Sequence, residues 1–494
     1  MPEIVTTTAG PVAGSREAHC RRFLGIPYAA PPFGENRLRR PQPHPGWTQP
    51  RDATKPGPTV PKGPYREPYG DLLPEPHIDG EECLNLNVWT PLEGSGHPVL
   101  VWIHGGAFSN GSGIVPQYDG STFARDGVVC VTLNYRLSIE GFLYTGDEHS
   151  NLGLRDQIAA LQWVRDNIAA FGGDPRQVTI AGESAGGMSV TCLLSSPLAA
   201  GLFHRVISQS GAGHTALQPE SAQLITREFA RRLNIEPTRE AFAAEPVARL
   251  TAEAAAVRAE MALNPDPARW GEAAAHGMAL EPVIDGEVLP ALPIESIRAG
   301  AGKGIDVLVG SNSHEYHFFS VPSGLIGAVT EPLLSMAVAG YGYPEDSLPL
   351  LGAGSDSAGE VLTRLITEWY FWLPAIRLAE AVKGNGGNAH LYEFAWRTPV
   401  YEGRLGACHY LEVPFVFDTL GVSEGKNLTG AHPPQKLADT MHRAWVEFVR
   451  SGDPGWAGYD VDSRPTMVFD ERSAVVNDPH SANRAAWDKA SIPR

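Results

Sequence analysis

Apolar residues along this chain gather into short, nearly unbroken runs, separated by stretches with helical spacing. PVLVWI at 98–103 and VVCVTLNY at 128–135 are almost continuous in apolar and β-branched residues, the pattern of strands buried on both faces. VTIA at 178–181, RVIS at 205–208, IDVLV at 305–309 and HLYEF at 390–394 predict further strands. Leu154, Ile158, Leu161, Val164 and Ile168 recur on one face of a helix predicted over 154–171, which GGDP terminates. Strands alternating with helices imply βαβ units, hence an α/β class with a mostly parallel central sheet flanked by helices.

Two regions depart from that rhythm. The first ninety or so residues are rich in proline and glycine (GIPYAAPPFG, RRPQPHPGW, KPGPTVPKGP), which predicts turns and extended segments more than helices. An Ala/Glu-rich stretch from about 246 to 272 has a helical pattern and predicts part of a cap over the sheet. There is no internal repeat and no linker, so 1–494 is expected to be one domain. Helical insertions at about 215–300 and 320–385 are expected to form the cap and pocket walls.

Bulk properties narrow the function classes. Hydrophobic residues make up 43% and charged residues 19% of 494, a balance that supports a large core and excludes a disordered chain. The formal charge is −17, with 39 basic against 56 acidic residues and no basic run, which disfavours nucleic acid and anionic membrane surfaces as partners. MPEIVTTTAGPVAG shows no basic stretch leading into an apolar one, so no secretory signal is expected, and no apolar run is long enough to span a bilayer. The five cysteines (Cys20, Cys83, Cys130, Cys192, Cys408) are scattered without CxxC pairing, which fits reduced thiols and a cytoplasmic protein better than disulfides or a zinc site. The NLT sequon at Asn427 then carries no weight.

Candidate chemistry begins at GESAG, 182–186, which follows the strand VTIA and precedes SVTCLLSS, a segment able to run as a helix. A strand-to-helix turn with flanking glycines projects a serine hydroxyl above the sheet edge, so Ser184 is the candidate nucleophile. A second GxSxG, GVSEG at 421–425, lies in a polar loop without a preceding strand and reads as an ordinary turn. HGGAF at 104–108 follows a predicted strand, and acyl transfer needs backbone N–H donors where charge develops on the carbonyl oxygen. Gly105, Gly106 and Ala185 are the candidate oxyanion donors. The hydrolase order of serine, acid, histidine leaves two prominent segments, SNSHE with Glu315 and GACH with His409. Phe108, Phe318, Phe319 and Phe415 are candidates to line an apolar pocket suited to aryl or medium acyl groups.

The order of FLGIPYAAPPFG, EECLNLNVWTP, VWIHGGAF, NYRL, NLGLRDQIAALQWVRDNIAAFGGDP, GESAGG, ISQSG, PVIDGE, GSNSHE and GACHYLEVPFVF resembles the type-B carboxylesterases. These are the cholinesterase-like branch of the α/β-hydrolases, and the chain is most similar to bacterial p-nitrobenzyl-esterase-like members. The resemblance implies the α/β-hydrolase fold, a Ser184–Glu315–His409 triad, and buttressing roles for Glu183 and Ser210. It implies hydrolysis of small carboxylic esters, aromatic diesters included, without metal or organic cofactor. The departure at Ser138-Ile139-Glu140 is expected to reshape the pocket rim, while Tyr316 after Glu315 and Tyr410 after His409 leave the triad's identity untouched but set the chain apart from relatives whose substrates are known. Cys83 lacks the partner that secreted relatives bond, Thr59 standing near that position. No tryptophan stands in DLLPEPHIDG just before EECL, so a quaternary ammonium ester is not the expected substrate. An aryl carbamate or amide hydrolase using the same triad is the alternative, and a non-catalytic binding module is the alternative of a different class. The expected partner is a small-molecule ester, not nucleic acid or membrane, and nothing selects between monomer and homodimer.

Overall fold

β6 (His97–Ile103) shows how the alternating apolar positions build two layers. Val99, Val101 and Ile103 join an apolar cluster with Leu154, Leu161 and Val164 of the helix Leu152–Asn167. Leu100 and Trp102 point to the other face and join Met441, Trp445 and Phe448 of the helix Gln435–Ser451. Side chains of a strand alternate between faces, so a run apolar on both must be covered on both. The computed structural model describes residues 3–423 and 426–490.

The remaining strands are β1 (Glu3–Thr6), β2 (Pro11–Arg16), β3 (Cys20–Pro27), β4 (Arg51–Asp52), β5 (Asn85–Pro91), β7 (Val129–Leu133), β8 (Gly173–Glu183), β9 (Arg205–Gln209), β10 (Asp306–Asn312), β11 (Ala389–Phe394), β12 (Pro465–Phe469) and β13 (Ala474–Asn477). They form one sheet in the order β1-β2-β3-β5-β7-β6-β8-β9-β10-β11-β12-β13, with β4 beside β2. From β7 to β12 every pairing is parallel, while β1-β2-β3-β5-β7 and β12-β13 pair antiparallel. This is the α/β-hydrolase arrangement, and its parallel strands end on one edge. Among the described residues no helix is long and apolar enough to cross a membrane.

The predicted helix over 154–171 is an α-helix over Leu152–Asn167 that tightens into a 3₁₀ turn, Ile168–Phe171, before Gly172 at φ +89°. The helix expected across 246–272 is instead Val247–Leu263 followed by the short Pro267–Trp270, because Pro265 and Pro267 cannot continue the hydrogen-bond ladder. Arg136 and Asp156 form a fully buried bidentate pair, with Nε–Oδ2 and Nη2–Oδ1 both at 2.7 Å. It fastens the segment after β7 to the first turns of Leu152–Asn167, and Arg136 Nη1 also donates to the Arg39 carbonyl at 2.7 Å.

Candidate active site

Ser184 stands where β8 ends and the helix Ala185–Ser195 begins, with φ +57° and ψ −125°. Such backbone conformations cost about 1–3 kcal/mol for a residue with a side chain and persist only where the surroundings enforce them. Here the Ser184 N–H donates to the Gln209 carbonyl and the Ser184 carbonyl accepts from Met188 N–H, each at 2.9 Å. Glycine is required at both flanks. A Cβ on Gly182 would lie 2.5 Å from the Gly186 carbonyl carbon, and one on Gly186 would strike the Ile103 carbonyl oxygen. Ser184 is left partly exposed between buried Glu183 and buried Ala185.

β6 runs directly into His104-Gly105-Gly106. The His104 ring is buried, stacks on Tyr135 at 4.5 Å and donates from Nδ1 to the Gly105 carbonyl at 2.8 Å. Burial lowers its pKa to about 3, so it is a neutral brace for the loop. A Cβ on Gly105 would sit 2.6 Å from the Glu183 carbonyl oxygen and 3.1 Å from Ser184 Cβ, which places this loop directly against the serine. Gly106 has φ +111°, a region closed to most side chains. The N–H groups of Gly105 and Gly106 meet no acceptor among the described residues. Ala185 opens its helix, so its N–H has no intrahelical partner.

The acid and the imidazole come from loops after β10 and β11. Glu315 is fully buried, and its two oxygens have distinct partners. Oε1 accepts from the Asn312 backbone N–H at 2.7 Å, and Oε2 accepts from His409 Nδ1 at 2.6 Å. Nδ1 therefore carries the proton, and Nε2 is the free nitrogen of the neutral ring. Asn312 also donates from Nδ2 to the Cys408 carbonyl and to Glu412 Oε2, both at 2.7 Å, tying the two loops together. Phe371 and Phe319 flank the His409 ring at 4.9 Å and 5.3 Å between centroids.

Electrostatics around His409 are dominated by buried carboxylates. Burial alone would lower its pKa, but Glu183, Glu315 and Glu412 outweigh that and raise it to about 9. Glu183 Oε1 lies 3.1 Å from His409 Nε2, without hydrogen-bonding geometry, and burial raises the Glu183 pKa well above the carboxylate range. Glu412 is pushed to about 7 by burial and by Glu315, against the lowering effect of bonds from Asn312 and Gln209.

One pocket contains Ser184, His409, Glu183, Gly105 and Gly106, walled by Tyr65, Tyr69, Tyr118, Phe318, Phe319, Tyr410 and Arg258. Phe318 and Phe319 thus sit where the sequence places them. Phe108 and Phe415 do not: both are fully buried core, Phe108 against Phe142 at 4.8 Å and Phe415 against Phe394 and Trp396, each at 5.2 Å. Apolar character marks burial without saying which surface is covered. Ser210 is buried at φ +51° with its N–H on the Gly310 carbonyl at 2.9 Å, and its hydroxyl has no hydrogen-bond partner among the described residues. Residues 138–140 do not reach the pocket rim. They open a buried helix, Ser138–Phe142, whose Glu140 pairs with Arg37 at 2.7 Å. Of the second GxSxG, Gly421 and Val422 line a separate cleft with Arg22 and Trp89, while Glu424 and Gly425 lie outside the described residues.

Asn312, Glu412 and Arg258 were not anticipated as site residues. Asn312 and Glu412 lie within three residues of Glu315 and His409, and that proximity is the signal that finds them. Arg258 sits in an Ala-rich helix, where only the folded chain reveals that it lines the same pocket as the serine.

Known proteins resemble this chain over nearly its whole length. The profile of the carboxylesterase family matches residues 1–324 and 352–482. The para-nitrobenzyl esterase of Bacillus subtilis (strain 168) is 36% identical over 98% of this chain and 98% of its own. A phenmedipham hydrolase of Pseudarthrobacter oxydans is 36% identical, with 96% of each chain covered. Among solved structures, the Geobacillus stearothermophilus carboxylesterase EST55 superposes with a TM-score of 0.85 at 37% identity, covering 98% of this chain and 99% of that one.

Proposed function

The chain belongs to the carboxylesterase family and is a carboxylic ester hydrolase, and we propose that it acts through an acyl-enzyme on Ser184. The observation that carries this reading is the pocket in which Ser184, the Glu315-bound His409 and the acceptor-free amides of Gly105 and Gly106 meet. His409 Nε2 takes the Ser184 proton as the hydroxyl attacks the ester carbonyl. Charge building on the carbonyl oxygen is met by the amides of Gly105, Gly106 and Ala185. His409 then protonates the departing alcohol and afterwards activates water against the acyl-enzyme. Glu315 fixes the tautomer and stabilises the imidazolium.

The aromatic walls support aryl or short-to-medium acyl esters. The helices between β9 and β10, and between β10 and β11, form a cap that gives the pocket Arg258, Phe318 and Phe319, and Tyr65, Tyr69, Tyr118 and Tyr410 complete its walls. Five buried cysteines, all unpaired, support a reducing compartment such as the cytoplasm.

A fluorophosphonate probe is expected to label the protein once, on the peptide containing Ser184, read by mass spectrometry. A label elsewhere, or none, refutes the nucleophile.

The pH profile tests the electrostatics. General-base action needs neutral His409, and its raised pKa keeps the ring protonated beyond the usual histidine range. The rate, kcat/KM for p-nitrophenyl butyrate, is expected to fall as pH drops below about 9, where an ordinary histidine would hold the limb near 6.5. Glu183→Gln removes a carboxylate beside the ring and should move that midpoint downward. A wild-type limb at or below the ordinary value counts against the assignment.

A further inference from the structure

Arg258 is the one pocket-lining group whose charge the described residues leave unanswered. It projects from the helix Val247–Leu263 into the pocket that holds Ser184 and His409. Its only hydrogen bond to a described residue runs from Nη1 to Asn110 Oδ1 at 3.2 Å. Among the described residues the charged and phenolic groups acting on it are Tyr65, Tyr69 and Arg66, with no carboxylate.

The surroundings make that solitude unusual. On other faces of the same helix, Glu253 and Glu260 pair with Arg232, and Glu260 also pairs with Arg269. Glu75 is the carboxylate nearest along the hydrogen-bond chain, but it is already engaged. It pairs with Lys62 at 3.3 Å and accepts from Asn110 Nδ2 at 3.1 Å and from the Gly111 N–H at 3.2 Å. Asn110 therefore turns its oxygen to Arg258, satisfying one donor and leaving the rest of the guanidinium fork open.

No other described residue lining the pocket cancels this charge. Among the described residues Glu183 is the only lining carboxylate, and it lies against His409, 3.1 Å from Nε2. The phenols of Tyr65, Tyr118 and Tyr410 are driven well above their ordinary range by burial, and Tyr69 is raised as well. Burial lowers the pKa of Arg258 too, yet a guanidinium stays charged at neutral pH. A partly desolvated cation without an anion is costly, and a planar oxyanion matches its fork bidentately.

We propose that Arg258 binds a carboxylate carried by the substrate, so the preferred esters are those with a second, free carboxylate group on an aryl or short acyl body. This rests on the reading of the Ser184 pocket as the active site. Arg258 is a specificity residue here and takes no part in bond making.

Two matched pairs test it with the intact protein. In the first, a carboxylate is added to the acyl side, mono-p-nitrophenyl glutarate against p-nitrophenyl butyrate. In the second it is added to the alcohol side, para-acetoxybenzoate against phenyl acetate. In at least one pair kcat/KM is expected to favour the anionic ester by about tenfold or more, the gain of a charge-assisted contact. Arg258→Met should lower the anionic-to-neutral ratio about ten- to a hundredfold, and Arg258→Lys should restore part of it. Independently of any variant, benzoate should inhibit the wild type competitively at concentrations where benzamide does not. Neutral esters favoured in both pairs, a ratio unmoved in Arg258→Met, or equal inhibition by benzoate and benzamide each overturn the proposal. Loss of hydrolysis of all four esters by the wild type would instead strike the Ser184 reading.

Discussion

Replacing Ser184 with alanine is expected to reduce hydrolysis of p-nitrophenyl acetate and butyrate by about 10⁴-fold or more, the scale seen when an acyl-transfer nucleophile is removed. The loss should fall on kcat, since the alcohol and acyl walls are untouched. Folding should survive, because alanine keeps the Cβ that already occupies the turn at φ +57°. Some rate above water should remain, as the amides of Gly105, Gly106 and Ala185 still surround an ester held in the pocket. Ser423→Ala is the matched control and should leave the rate within about twofold, as surface loop changes usually do. Full activity in Ser184→Ala, or a collapse in Ser423→Ala, would move the chemistry to the other motif.

Glu315→Gln is expected to cost nearly as much, about 10³- to 10⁴-fold in kcat, through the tautomer of His409. Glu315 uses one oxygen for the Asn312 N–H and the other for His409 Nδ1. A glutamine has one oxygen to offer. If it faces the Asn312 amide, its NH₂ faces Nδ1, forces the proton onto Nε2, and abolishes the base. Reversing the side chain sets the NH₂ against the Asn312 N–H, which is buried and has nowhere to turn. Neither orientation suits catalysis, so the variant should fold, bind substrate and turn it over poorly. Wild-type kcat in Glu315→Gln would mean another acid orients the ring.

Much of this architecture is legible from local pattern. Runs such as PVLVWI and VTIA carry buried-strand signatures, and the parallel core of the sheet is built from them. Ser184 separates from Ser423 because a strand must deliver the hydroxyl to the sheet edge, and only one GxSxG has a strand before it. Glu315 and His409 emerge from residue order and family resemblance. They meet only after chain segments 94 residues apart fold onto one another. What escapes the sequence is side-chain direction. Phe108 and Phe318 look alike as letters, yet one fills the core and the other the pocket, because facing depends on loop backbone with no fixed period. Arg258 is concealed for the same reason: an arginine in an alanine-rich helix reads as solvated until the fold sets it in the pocket lining.

The positions of Ser184, Glu315 and His409 on strand-end loops, with Arg258 on a helix between β9 and β10, divide labour along the chain. On the proposed reading the reacting atoms are moored at the ends of sheet strands, while selection of the guest is lodged in a helix outside the sheet. Substitution at Arg258, with Leu250, Ala254, Val257 and Met261 kept for the core, is therefore expected to shift the choice of acid or alcohol and leave the bond-breaking engine unaltered.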